Sequence, residues 1–289
     1  MNFRTLSLAA VALAGLSLSG GAFAQAKTWN FGDTSNPGSC TGTYSSNTGA
    51  PGTAVTYNNT ISCTQQPSGT TVDLWARAFS SDGSVTVNGV TNPVYRTAGI
   101  NQQGVGSGFG IYNQTETVNS TSAPNHAMDN STPGVDMLLL QFSAAEILRR
   151  VTIGWSGTDG DFQVLRWTGA TTATAADVSA TIVGRQAGSL LAPLNTVNQT
   201  GGWELVSTID GAANINTPDV SYSVNSLNRS SSYWLVTAYN SAFGATTGFS
   251  AGIDAIKVLG VSTGISAPGT LALAGLGLLG MGVLRRRHA

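Results

Sequence analysis

The fold is decided by the stretch Asp136-Met137-Leu138-Leu139-Leu140-Gln141-Phe142 and the two short runs behind it, Val151-Thr152-Ile153-Gly154-Trp155 and Phe162-Gln163-Val164-Leu165-Arg166-Trp167. Residues 135–142 read as a nearly continuous apolar strand, and the next two runs as strands joined by the turn Thr158-Asp159-Gly160-Asp161. Upstream, Val72, Leu74, Ala76 and Ala78 alternate with Asp73, Trp75, Arg77 and Phe79, a period of two. Asp82-Gly83 is a turn signal, and 84–90 reads as the hairpin partner. Gly104, Gly106, Gly108 and Gly110 then fall on every second residue, where a strand would let another backbone or a ring approach closely. No helix pattern follows them, which excludes a dinucleotide fingerprint. Further strands are expected over 203–209, 220–224, 233–239 and 253–261, and only 144–150 and 173–176 look helical. Short strands with Gly and Asp turns between them predict an all-β, antiparallel β-sandwich or jelly-roll-like domain.

Composition narrows the setting. Charged residues make up 9% of the chain, against a usual quarter, and Gly, Ser, Thr and Asn stand in their place. With Arg4 and the three terminal arginines set aside, 9 basic residues face 14 acidic ones, a net charge of −5. That excludes a broad basic surface for nucleic acid and argues against general attraction to anionic lipid.

Both ends carry export signals. Arg4, an apolar stretch over 6–18 and Ala22-Phe23-Ala24 make a secretory signal peptide cleaved after Ala24, with Ala26 as the alternative. At the other end, Ile265-Ser266-Ala267-Pro268-Gly269-Thr270 precedes an uncharged apolar run over 271–284, and Arg285, Arg286 and Arg287 stop it. The positive-inside rule puts the arginines in the cytoplasm and everything upstream outside. Fourteen helical residues reach about 21 Å against a hydrocarbon core of about 30 Å, so the expected anchor is short and transient. The chain divides into a signal peptide (1–24), a Gly/Ser/Thr-rich segment (25–70), a β-sandwich (71–261), a linker with the sorting motif (262–269) and a transmembrane helix with its Arg-rich tail (270–289).

This tail resembles the PEP-CTERM sorting signal of exosortase-processed bacterial proteins. Gly269, Thr270, the Leu/Gly run and the arginines match that pattern. Ser266, Ala267 and Pro268 occupy the Pro-Glu-Pro positions, so only the last proline is kept. A second stretch is similar to exosortase-dependent surface proteins: the loop Asn125-His126-Ala127-Met128-Asp129-Asn130, a strand ending in Gln141-Phe142, and Ile153-Gly154-Trp155 leading into an Asp-rich turn. The resemblance implies an exported protein with an exosortase as partner, held briefly in the inner membrane and then passed to the cell surface or extracellular matrix.

Cys40 and Cys63 are the only cysteines, and an even pair in an exported chain reads as a disulfide. His126 is the only histidine outside the tail, and no nucleophile elbow, zinc helix or phosphate loop accompanies it. The expectation is no catalytic site; His126 and Asp129 hold their own loop, and Glu146 makes a surface pair beside Arg149 and Arg150. Asp129, Asp159 and Asp161, with Asn130, Asp136 and Asp254, offer the hard oxygen ligands of a calcium site, the one cofactor considered. The loop 125–130 is expected to lie near the turn 159–161 and to share one polar site with it. Trp75, Trp155, Trp167, Trp203 and Trp234 fall in expected strands, so core packing is their first reading and a sugar-stacking face the second. The leading function is an exported surface or matrix protein associated with extracellular polysaccharide. The alternative is a calcium-dependent carbohydrate-binding or adhesive module, and an exported hydrolase comes third.

Overall fold

The structure, a computed structural model, describes residues 26–32, 40–42, 57, 59–64, 72–102, 106–116, 126–131, 134–170, 172–191, 193, 201–216, 219–249 and 252–264. The signal peptide, Asn125, the sorting motif (Ser266 to Thr270), the apolar run and Arg285 to Arg287 lie outside them. The described strands are β1 (Lys27–Asn30), β2 (Cys40–Thr41), β3 (Ile61–Cys63), β4 (Leu74–Val87), β5 (Val90–Gln102), β6 (Phe109–Tyr112), β7 (Met128–Asp129), β8 (Asp136–Ser156), β9 (Phe162–Trp167), β10 (Trp203–Ile209), β11 (Val220–Ser223), β12 (Ser231–Ala238) and β13 (Ala255–Gly264). Two short helices, α1 (Ala175–Ala180) and α2 (Ala187–Leu190), interrupt them. They form one compact unit within 26–266.

The architecture is a mostly antiparallel two-sheet sandwich, and β8 belongs to both sheets. Its first half lies between β4 and β12, with Leu140 opposite Ala76 and Trp234. Its second half lies between β13 and β11, with Val151 opposite Val261 and Tyr222. Strand β5 changes sheets in the same way, pairing β4 up to Ala98 and β6 from Gly99. Strands that pass from one sheet to the other tie the corners of a sandwich. On its far side β13 carries β7, β6 and β1 in turn, at Ile256, Val258 and Gly260.

Two buried clusters explain why residues 137–140 are apolar without alternation. Leu138, Leu140 and Phe142 join Trp29, Phe31, Leu74 and Trp234 between the sheets. Met137 and Leu139 point the other way, into Leu165, Trp167, Trp203 and Leu235 beneath Val178 and Ile182 of the helical layer. A strand covered on both faces has no solvent side to keep polar. The capping box at Thr174 and Asp177 sets the start of α1.

Several local expectations are corrected. Residues 144–150 are strand, although Ala and Glu favour helices. Glu146 is drawn into the sheet by Lys27 Nζ at 2.6 Å and Thr263 Oγ1 at 2.8 Å, so it is buried and not in a surface pair with the arginines. Asp82-Gly83 is a bulge inside β4, where the register with β5 shifts. The hairpin turn is Asn88-Gly89, both at positive φ, the pairing that two-residue hairpins favour. Gly104 of the glycine ladder lies outside the described residues, and of the other three only Gly110 is in a strand. Gly106 and Gly108 have positive φ, while the close-approach reading applies to Gly108, packed on the Val258 carbonyl, and Gly110, packed on that of His126. Strand β13 also runs to Gly264, into the stretch assigned to the linker.

Cys40 and Cys63 stand opposite each other across β2 and β3 and are bonded, with Cα atoms 4.0 Å apart. Closing a loop with a sequence separation of 23 stabilises by about 3 kcal/mol in the chain-entropy model. The double variant C40S/C63S is expected to lose about that much in chemical unfolding; an unchanged midpoint and slope would remove the bridge from the stabilising contacts.

Candidate functional site

The turn after β8 and the segment before β13 meet in an acidic junction. Ala255 N–H donates to the Asp159 carbonyl, and Asp161 N–H donates to Asp254 Oδ1 at 3.2 Å. Asn130 clamps the same residue from the loop after β7: its Nδ2 donates to Asp254 Oδ2 at 2.5 Å, and its Oδ1 accepts from Asp254 N–H at 2.8 Å. The loop ending at Asn130 and the turn 159–161 are thus neighbours, joined through Asp254. Carboxylate oxygens of Asp159, Asp161 and Asp254 lie within 4.8 Å of one another, a spacing that suits oxygens around one cation at 2.3–2.6 Å. Burial, and next the charges of Asp159 and Asp161, push Asp254 up to about 7.

Asp129, the third ligand expected from sequence, stands elsewhere. Its Oδ1 accepts from Ser131 N–H and Oγ, closing its own loop, and its N–H donates to Asp136 Oδ2 at 3.3 Å. Asp129, Asp136 and Glu116 form a second acidic group. Asp129 Oδ2, Asp136 Oδ1 and Glu116 Oε1 are buried without a hydrogen-bond partner among the described residues. Burial is the main cause that raises all three: Glu116 to about 8, Asp129 to about 6, and Asp136 well above the carboxylate range, the last reinforced by Asp129 and Glu116. His126 adjoins with positive φ, its Nε2 3.2 Å from the Tyr112 hydroxyl.

Beside the acidic junction a cleft of about 430 Å³ opens on Trp155, Thr158, Asn214, Asn216 and Ile253. The loop carrying the asparagines is fastened to the end of β8. Ser156 exchanges main-chain and hydroxyl bonds with Ile215 at 3.0 and 2.9 Å, and Asn214 N–H donates to the Gly157 carbonyl. Asp161 Oδ1 fixes the start of that loop by accepting from Gly211 N–H at 2.9 Å. Trp155 is partly exposed with Lys257 Nζ 5.5 Å from its ring centre, whereas Trp29, Trp167, Trp203 and Trp234 are buried. The cleft joins an indole to two amides and a hydroxyl. Asn214 and Asn216 escaped the sequence reading because nothing in a turn-rich loop marks which strand end it will cover.

No family model and no curated protein matches the chain. Among solved structures, it is similar to the family 32 carbohydrate-binding module from Streptococcus pneumoniae EndoD at 10% identity, over 53% of this chain and 88% of that one, with a TM-score of 0.23. At that score the likeness bears no weight for function.

The second acidic group makes stability depend on pH. Below about pH 4 the folded and unfolded carboxyls are protonated alike. As pH rises, the unfolded chain releases its protons first, so stability falls through the window up to about 8 set by Glu116. The melting temperature in EDTA should drop by a few degrees between about pH 5 and about pH 8.5, and D136N should flatten that slope. A melting temperature constant or rising across the window would contradict the assignment.

Proposed function

We propose that the chain is an exported, non-catalytic surface or matrix protein, sorted by an exosortase through its C-terminal tail, whose sandwich holds extracellular polysaccharide in the Trp155 cleft. The observation that carries this reading is where the cleft lies. Ser156 and Ile256 close one end of the β8–β13 ladder, at the cleft. Lys27 and Thr263 pair at the other end, where the described chain begins and leaves. Seven residues of β13 separate the two, roughly 24 Å, so the cleft and the end of β13 at Gly264 lie at opposite ends of the ladder. The partly exposed indole offers a flat apolar face to the C–H side of a pyranose, and Asn214, Asn216 and Thr158 offer donors and acceptors for its hydroxyls.

The acidic junction supports a calcium-dependent form of the same reading. Thr158 of the cleft wall precedes Asp159, so an ion on Asp159, Asp161 and Asp254 would stiffen the wall. Detergent-solubilised full chain, titrated with neutral gluco-, galacto- and manno-oligosaccharides, is expected to bind at least one series, and W155A to weaken it about ten-fold or more. Repeating the titration in EDTA and with D254N reads the calcium contribution. Failure to bind any series, or equal binding by W155A, would exclude the cleft.

The tail is tested separately. Removing 271–289 should move the protein out of the membrane fraction, since an exposed Leu forgoes about 1.5–3 kcal/mol of burial and the run must find an apolar setting. Full chain that stays soluble and uncleaved without detergent would end the sorting reading.

A further inference from the structure

A second pocket, of about 560 Å³, lies at the opposite end of the β8–β13 ladder, and Ala26 and Gly264 are both in its wall. The register explains its chemistry. Arg150 stands opposite Ser262 of β13 and Ser223 of β11. Directly paired residues share a face, so the guanidinium has a hydroxyl on either side. The β13 register then passes from Arg150 to Leu148 and skips Arg149. Such a bulge re-aims a side chain, and here it brings two consecutive arginines to one pocket where a regular strand would send them to opposite faces. Arg149 lies over Gly264 and donates to Asn228 Oδ1.

Among the described residues the lining holds no carboxylate to offset the charge, and the ion pairs of Glu146, Asp82 and Glu204 go to Lys27, Arg96, Arg166 and Arg229. Ser207, also in the wall, has a buried hydroxyl without a hydrogen-bond partner among the described residues. Two guanidinium groups in one pocket, with the Ser262 and Ser223 residues paired to Arg150, form a site for a tetrahedral oxyanion.

We infer that this pocket takes the phosphate of a phospholipid headgroup and seats the domain on the membrane surface. The position selects that source and rests on the anchoring reading above. The chain leaves at Gly264, in the pocket wall, and residues 265–270 are all that separate it from the apolar run. Six extended residues reach at most about 20 Å. The acidic balance of the domain does not oppose this contact, because charges beyond about 8 Å are screened at physiological salt and only the local arginines act.

The test uses the full chain in vesicles of phosphatidylcholine alone and with phosphatidylglycerol, and in neutral detergent with and without inorganic phosphate or polygalacturonate. Phenylglyoxal modification of each arginine is read by mass spectrometry, with Arg77 on β4 as internal reference. Arg149 and Arg150 are expected to react about five-fold more slowly in the phosphatidylglycerol vesicles than in detergent, while Arg77 is unchanged. Equal reactivity in both overturns the inference. Protection by inorganic phosphate or polygalacturonate without protection by vesicles also overturns it, making the pocket a site for free phosphate or for acidic polysaccharide. Flotation of the same samples separates the failures: chain that does not float with the vesicles defeats the anchoring reading and this inference together, whereas floating chain with reactive arginines defeats this inference alone.

Discussion

Everything in the domain depends on one strand being hydrogen-bonded in two sheets at once. Strand β8 spans 21 residues, far beyond the usual five or six, and it pairs with β4, β12, β13 and β11. Its first half is sealed on both faces, between the inter-sheet core and the helical layer, and its second half supplies the ladder whose two ends carry the pockets. A break near residue 144 would separate the sheets and both clusters with them. That is why Glu146 is placed there as a buried, paired carboxylate: Lys27 from β1 and Thr263 from β13 fix the position at which the strand changes sheets.

The two acidic groups use the same residue type for different physical ends. Around Asp254, amide and main-chain donors from three segments converge on carboxylates, so the charges organise loops that are far apart in sequence. Around Asp136 one oxygen of each of three carboxyls is buried without a hydrogen-bond partner among the described residues, and that burial favours the protonated form. Of the two, the first has the oxygen spacing that a cation needs.

Much of the fold was legible because its strands are written in period two or as unbroken apolar runs. Residues 72–78 alternate and are buried as the pattern demands, and 203–209 forms a strand with those limits. What could not be read was the role of individual turns. Asp82-Gly83 and Asn88-Gly89 are both turn pairs, and only the shift of register against β5 reveals that the first is a bulge. Residues 144–150 looked helical because propensity is local while the bonds that make them a strand come from both ends of the chain. The site divided in the same way. Asp159 and Asp161 were visible as a pair in sequence, but their union with Asp254 and the exclusion of Asp129 are products of tertiary pairing.

The pairing of Lys27 with Thr263 also bears on the order of events during folding. It closes a loop of more than 200 residues, so the first strand to be made must wait for the last, and contacts of such separation form slowly. In a chain made N-terminus first, β1 stays unpaired until β13 has emerged. Closure of the sandwich is therefore a late event, and until it happens the edge of β13 that β1 covers stays open.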